Sequence, residues 1–132
     1  MATDLYTADV TASGGTVRSH DGALHLDVRE ATSTDDSGAT NPEQLMAAAL
    51  STCLLESLKI AVGTTGGTTE GAEVRSRVTL AQDDGPGYSA RYELTVTLPD
   101  AGGDPGDVLQ QALSICPFTK SIDAGSLDVH LA

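Results

Sequence analysis

Cys53 and Cys116 are the only thiols in the chain, and each falls where its neighbours predict helix. A thiolate is a strong nucleophile, and two thiols can cycle between dithiol and disulfide. This pair is the only strongly nucleophilic, redox-active chemistry the sequence offers. Metal chemistry is poorly served. His20, His25 and His130 are scattered over predicted strands, with no C-x-x-C and no H-x-x-x-H spacing. Each reads as a solvated strand residue, and neither a metal nor a bound organic cofactor is expected.

Cys53 lies about three turns into a predicted helix, so the helix dipole does little to ionise it. Apolar neighbours would raise its pKa, and on burial alone it reads as a small core hydrophobe. A reactive Cys53 therefore requires a cation from elsewhere in the fold. Cys116 precedes Pro117 at a helix terminus, a place expected to be easily exposed and able to move. A redox pair, two inert core thiols and a plain disulfide all stay open at this level. Glu43 places favourable charge at the start of the Cys53 helix, which is reason enough for its presence. It precedes Cys53 by ten residues, about 15 Å along a helix axis. It cannot reach that sulfur within one straight helix. A second copy of the helix or a bridging strand arginine would close the gap.

The elements that must position these groups are legible in the residue pattern. Tyr6, Ala8, Val10 and Ala12 alternate with polar residues over 5–12, and Gly14-Gly15 turns the chain. A second strand runs through Val17. Asp21-Gly22 gives the strongest two-residue hairpin signal, before a third strand with Leu24, Leu26 and Val28 facing inward. Residues 32–40 read as a loop. Asn41 is a good N-cap, Pro42 suits the first turn, and Gln44 completes a capping box for a helix reaching about Val62. Two alternating strands follow, through Val74–Leu80 and Tyr88–Leu98, joined by Asp83-Asp84-Gly85-Pro86-Gly87. Asp104 and Pro105 start a second helix that Pro117 stops soon after Cys116. Leu127, Val129 and Leu131 mark a closing strand. The order βββ-α-ββ-α-β, with no repeat and no linker over 1–132, is α+β in a single domain.

The first helix carries Met46, Ala49, Leu50, Cys53, Ser57 and Ile60 on one stripe and Leu45, Leu54, Leu55 and Leu58 on its other sides. A helix apolar nearly all round is buried nearly all round, and one small sheet covers only one side of it. A homodimer with this helix at its centre is therefore expected. With 3% aromatic residues and no Trp, aliphatic and alanine packing must fill the core.

Nineteen acidic against seven basic residues give a net charge of −12, which disfavours nucleic acid and anionic lipid as partners. A solubility surface and adaptation to a salt-rich cytoplasm both account for that charge. No basic, apolar leader opens the chain, and no uninterrupted run approaches the roughly 18 apolar residues of a membrane span. A soluble, cytoplasmic protein is expected.

The run Thr40-Asn41-Pro42-Glu43-Gln44-Leu45 before an Ala-rich helix with Cys53, followed by Cys116-Pro117-Phe118-Thr119-Lys120, carries a resemblance. Together with the flanking strands, it resembles the organic hydroperoxide resistance proteins of the osmotically inducible protein C superfamily over essentially the whole chain. The resemblance implies an intertwined homodimer with active sites at the subunit interface. It implies reduction of organic hydroperoxides to alcohols, with re-reduction by a dithiol such as a lipoylated protein. By that match Cys53 is the peroxidatic thiolate, Cys116 the resolving thiol, and Glu43 the residue that orients an arginine from the N-terminal strands. An apolar lining around Met46, Leu50 and Phe118 would then favour alkyl hydroperoxides. The chain departs from the pattern in one place. Family members carry that arginine directly after the Gly-Gly turn, whereas here Gly14-Gly15 leads straight to Thr16-Val17-Arg18. Arg18 is the nearest candidate and Arg29 the next. If neither serves, the alternative is a non-catalytic redox-sensing or ligand-binding module of the same fold.

Overall fold

Two glycines in the left-handed region, Gly14 (φ 62°) and Gly15 (φ 83°), make the two-residue turn that pairs Ser13 with Thr16. The turn joins β1 (Val10–Ser13) to β2 (Thr16–Ser19), and β3 (His25–Asp27) pairs on the other side of β2, all antiparallel. This is a computed structural model, and it describes residues 2–33 and 38–132. The chain divides into two compact units, Met1–Leu45 and Met46–Ala132.

In the first unit the strands are shorter than their alternation suggests. Residues 5–9 form no strand, and Leu5 and Tyr6 are exposed. The Asp21-Gly22 signal does mark a hairpin, but through a wider loop closed by a Ser19 N–H bond to the Leu24 carbonyl at 2.8 Å. Asp21 folds back to accept from the Ser19 hydroxyl at 2.6 Å and from Ala23 N–H at 3.0 Å. That local competitor for the backbone explains the longer turn. All three residues of β3 are exposed, so Leu26 does not face a core as its alternation predicts. The loop expected over 32–40 includes residues 34–37, which lie outside the described residues. Beyond them Thr40 forms an isolated parallel bridge to Val28.

The long helix α1 (Pro42–Gly63) starts in this unit and runs through the second. Asn41 caps it by accepting from Gln44 N–H at 2.8 Å. The capping box is not closed, because the Gln44 side chain instead accepts from the Thr40 hydroxyl at 2.6 Å. By length and composition α1 is apolar enough to cross a bilayer, with a mean hydropathy of 1.6, which short apolar runs in the sequence concealed. Leu50, Leu54, Ser57, Leu58, Ala61 and Val62 are its buried residues.

In the second unit α1 and α2 (Pro105–Ile115) cover one face of a sheet ordered β4 (Glu73–Gln82), β5 (Tyr88–Thr97), β6 (Leu127–Leu131). Leu50, Leu54, Leu58, Ala61 and Val62 pack with Leu94, Val96, Val108, Leu109 and Ala112. The buried stripe is therefore centred on Leu54 and Leu58, not on the Met46–Ile60 line: Ile60 is 64% exposed and Met46 38%. The sheet is mixed. β4 and β5 are antiparallel, but β6 runs parallel to β5 and so needs a crossover. That crossover is α2, a short helix α3 (Pro117–Ser121) and a 3₁₀ turn at Ala124–Ser126. Asp104 caps α2 by accepting from Gly106 and Asp107 N–H groups. Where the loop after α1 passes the loop before α2, a side chain on Gly102 would overlap the backbone of Gly67, and Gly102 also has positive φ. Glycine is required there.

Candidate active site

Ser51 sits on the face of α1 that meets the sheet, and its hydroxyl is 2.7 Å from that of Ser76 on β4. This bond satisfies the one polar side chain among Val74, Ser76 and Val78, and it anchors α1 half a turn before Cys53. Farther on, the Ser57 hydroxyl donates to the Cys53 carbonyl at 3.1 Å. Cys53 is thus held within α1 as a partly buried residue.

Cys116 reaches the same place from the other side of the fold. It ends α2, its N–H bonding to the Ala112 carbonyl, and it begins α3 with extended dihedrals (φ −73°, ψ 112°). A residue before proline is driven toward that conformation, so Pro117 sets it. The two sulfurs stand 3.7 Å apart, and both cysteines are free thiols. A disulfide has an S–S length of about 2.05 Å, so closure asks for roughly 1.6 Å of sulfur movement.

Their environments reverse one expectation. A cysteine at a helix terminus should be easily exposed, yet Cys116 is completely buried, and Cys53 is the more open thiol. Proline is compatible with the first turn of a helix, so Pro117 restarts the chain as α3 and folds it back over Cys116. Thr119, three residues on, is only 5% exposed.

The pKa shifts differ in sign. Burial pushes the Cys53 thiol up, and the adjacent Cys116 adds to the rise, while the Phe118 backbone N–H works the other way. Burial also acts to raise Cys116, but the Thr119 hydroxyl, the Thr119 and Phe118 N–H groups and Cys53 together hold it below the usual cysteine range. The second unit by itself thus does not ionise Cys53. Because Cys116 contributes only in the raising direction, Cys116→Ala is expected to move Cys53 ionisation to lower pH. Thiolate absorbance against pH checks this; an unchanged or higher midpoint contradicts it.

The remaining predicted residues lie in the first unit. Glu43 occupies the first turn of α1, partly buried. Arg18 lies exposed on β2, its backbone opposite Thr11 and His25. Arg29 bends over the glycine turn, Nη1 donating to the Gly15 carbonyl at 3.2 Å and to the Val28 carbonyl at 3.0 Å. Met46 and Phe118 offer apolar surface, 38% and 48% exposed, but Leu50 is fully buried in the core and cannot line a substrate path. Sequence reasoning does not find Thr119. Its signal is a hydroxyl three residues after a cysteine, across a proline that restarts a helix.

The family model described as OsmC-like protein matches residues 33–131. The chain is 33% identical to the organic hydroperoxide resistance protein OhrA of Bacillus subtilis, an alignment covering 99% of this chain and 97% of that one. It is 31% identical to the organic hydroperoxide resistance protein of Xanthomonas axonopodis pv. citri, over 96% and 93%. Among solved structures, the fold is similar to an organic hydroperoxide resistance protein from Elizabethkingia anophelis, with a TM-score of 0.85, 26% identity and 99% of both chains covered. It is also similar to OhrB of Bacillus subtilis, with a TM-score of 0.80, 29% identity and 97% and 98% covered.

Proposed function

The chain belongs to the OsmC-like family, on its organic hydroperoxide resistance branch, and from that premise we propose that it is a cysteine-based peroxidase acting on organic hydroperoxides. The observation that carries this reading is the pair of sulfurs 3.7 Å apart, one partly open and one sealed. Cys53 thiolate attacks the distal oxygen of the hydroperoxide, the O–O bond breaks, and the alkoxide leaves as an alcohol after taking a proton. The resulting Cys53 sulfenic acid condenses with Cys116, releasing water and forming a disulfide. An external dithiol, such as a lipoyl group on a carrier protein, returns both thiols.

Since burial raises the Cys53 pKa, a cation must be brought to it, and Arg18 is our first candidate with Arg29 the second. Glu43 would orient that guanidinium. The window of α1 that is apolar enough to span a membrane is only 33% buried within one chain. This supports a homodimer in which a second copy covers the remainder. The raised Cys53 pKa also favours a second reading, a redox-sensing or ligand-binding module that does not turn over.

Mass spectrometry after one equivalent of cumene hydroperoxide tests the peroxidase. The expected product is an intramolecular Cys53–Cys116 disulfide, with one cumyl alcohol formed per chain and rapid turnover once dithiol is added. Unmodified thiols after that treatment would support the non-catalytic module instead.

A further inference from the structure

The two sulfurs of the proposed disulfide present themselves differently to a reductant. Exchange requires the incoming thiolate to reach one sulfur on the side opposite the bond it breaks. Cys53 is partly open, whereas Cys116 has no exposed surface.

A second asymmetry lies behind Cys116. The Thr119 hydroxyl is buried and makes only a long bond, 3.4 Å, to the Cys116 carbonyl. That carbonyl already accepts from the Lys120 N–H at 3.2 Å. The hydroxyl hydrogen is thus held only weakly at the shared carbonyl, and Thr119 also interacts through its side chain with the Cys116 sulfur, to which that hydrogen can turn. A disulfide sulfur is a poor acceptor, but a thiolate is a strong one. The hydroxyl gains most as the S–S bond opens, so it favours the departing sulfur over the bonded one.

We propose that the reductant attacks the Cys53 sulfur and expels Cys116 as a thiolate, with Thr119 the positioning residue that receives the departing charge. This rests on the reading that a Cys53–Cys116 disulfide is reopened by a dithiol. The first reductant thiolate forms a mixed disulfide with Cys53, and the bonding pair of the broken S–S bond leaves on Cys116. The second thiol of the reductant, deprotonated, then attacks its own mixed-disulfide sulfur and releases Cys53 as thiolate. The dithiol loses two electrons and two protons, and both cysteines return to the reduced form.

The test is to oxidise the full chain, expose it briefly to 2-mercaptoethanol, quench with excess N-ethylmaleimide and map the peptides. The expected pattern is mercaptoethanol on Cys53 and maleimide on Cys116, and the reverse pattern overturns the proposal. Thr119→Val is expected to slow reduction of the disulfide by dithiothreitol about tenfold, with Thr119→Ser restoring the rate. A folded Thr119→Val chain reduced as fast as the parent overturns the role of Thr119. Mapping of the unsubstituted chain holds even if that variant fails to fold. If cumene hydroperoxide leaves the thiols unpaired but diamide joins them, the peroxidase reading falls while the attack order is still read from the same peptides. If neither oxidant joins them, both fall.

Discussion

Cys53→Ser is expected to abolish consumption of cumene hydroperoxide, with turnover in excess dithiol falling on the order of a thousandfold or more. The reason is chemical: serine cannot form a sulfenic acid, and a hydroxyl beside an apolar core has no means of ionising. Cys116→Ser should behave differently. Its Cys53 still meets the peroxide once, but the sulfenic acid has no neighbour to condense with and advances to sulfinic acid as peroxide accumulates. Full turnover in Cys53→Ser would remove that sulfur from the mechanism. The same assay on Arg18→Met and Arg29→Met assigns the cation. The arginine that serves Cys53 is the one whose loss both slows the reaction and shifts Cys53 ionisation to higher pH, since a nearby positive charge favours the thiolate. Two variants with unchanged rates would remove both arginines from the activation of Cys53.

Leu54→Ala is expected to cost about 2–5 kcal/mol of stability, the range for emptying a well-packed leucine site. Leu54 is fully buried at the centre of the cluster that joins α1, β5 and α2, and it directly follows Cys53. The cavity would lie beneath the wall that holds the two sulfurs together, so disulfide formation should slow along with the loss of stability. Urea unfolding measures the first effect as a lowered midpoint at an unchanged slope. A loss under about 1 kcal/mol would mean that the helix is not held by this stripe. Ile60→Ser is the informative partner experiment. Ile60 is 64% exposed, so in a lone chain the change should stay within roughly 0.5 kcal/mol. A larger, concentration-dependent loss is the result expected if a second copy covers this side of α1.

Much of the fold is legible in the order of the residues because the signals are local. Asn41 and Asp104 announce the starts of α1 and α2 through the side-chain bonds that helix ends require. Alternation over Val74–Leu80 and Tyr88–Leu98 is a period-two pattern that one covered sheet face imposes. The two motifs around Cys53 and Cys116 identify the chemistry, since thiols are scarce and nothing else in the chain competes for the role. What stays hidden depends on residues distant in sequence. The alternation of 5–9 and of β3 promises buried faces, but alternation marks a face without supplying what covers it, and those side chains are exposed. Which side of α1 is buried cannot be read either, because a helix that is apolar all round has no face to choose until α2 and the sheet arrive. The parallel pairing of β6 and the burial of Cys116 share one cause. Pro117, a stop signal in sequence, restarts the backbone as α3, and that turn both carries the chain back to β6 and closes over the sulfur. The residues by themselves determined that two thiols are available. Only the tertiary structure decided that they stand 3.7 Å apart with one face open, because that distance is the sum of two helices packing on one sheet.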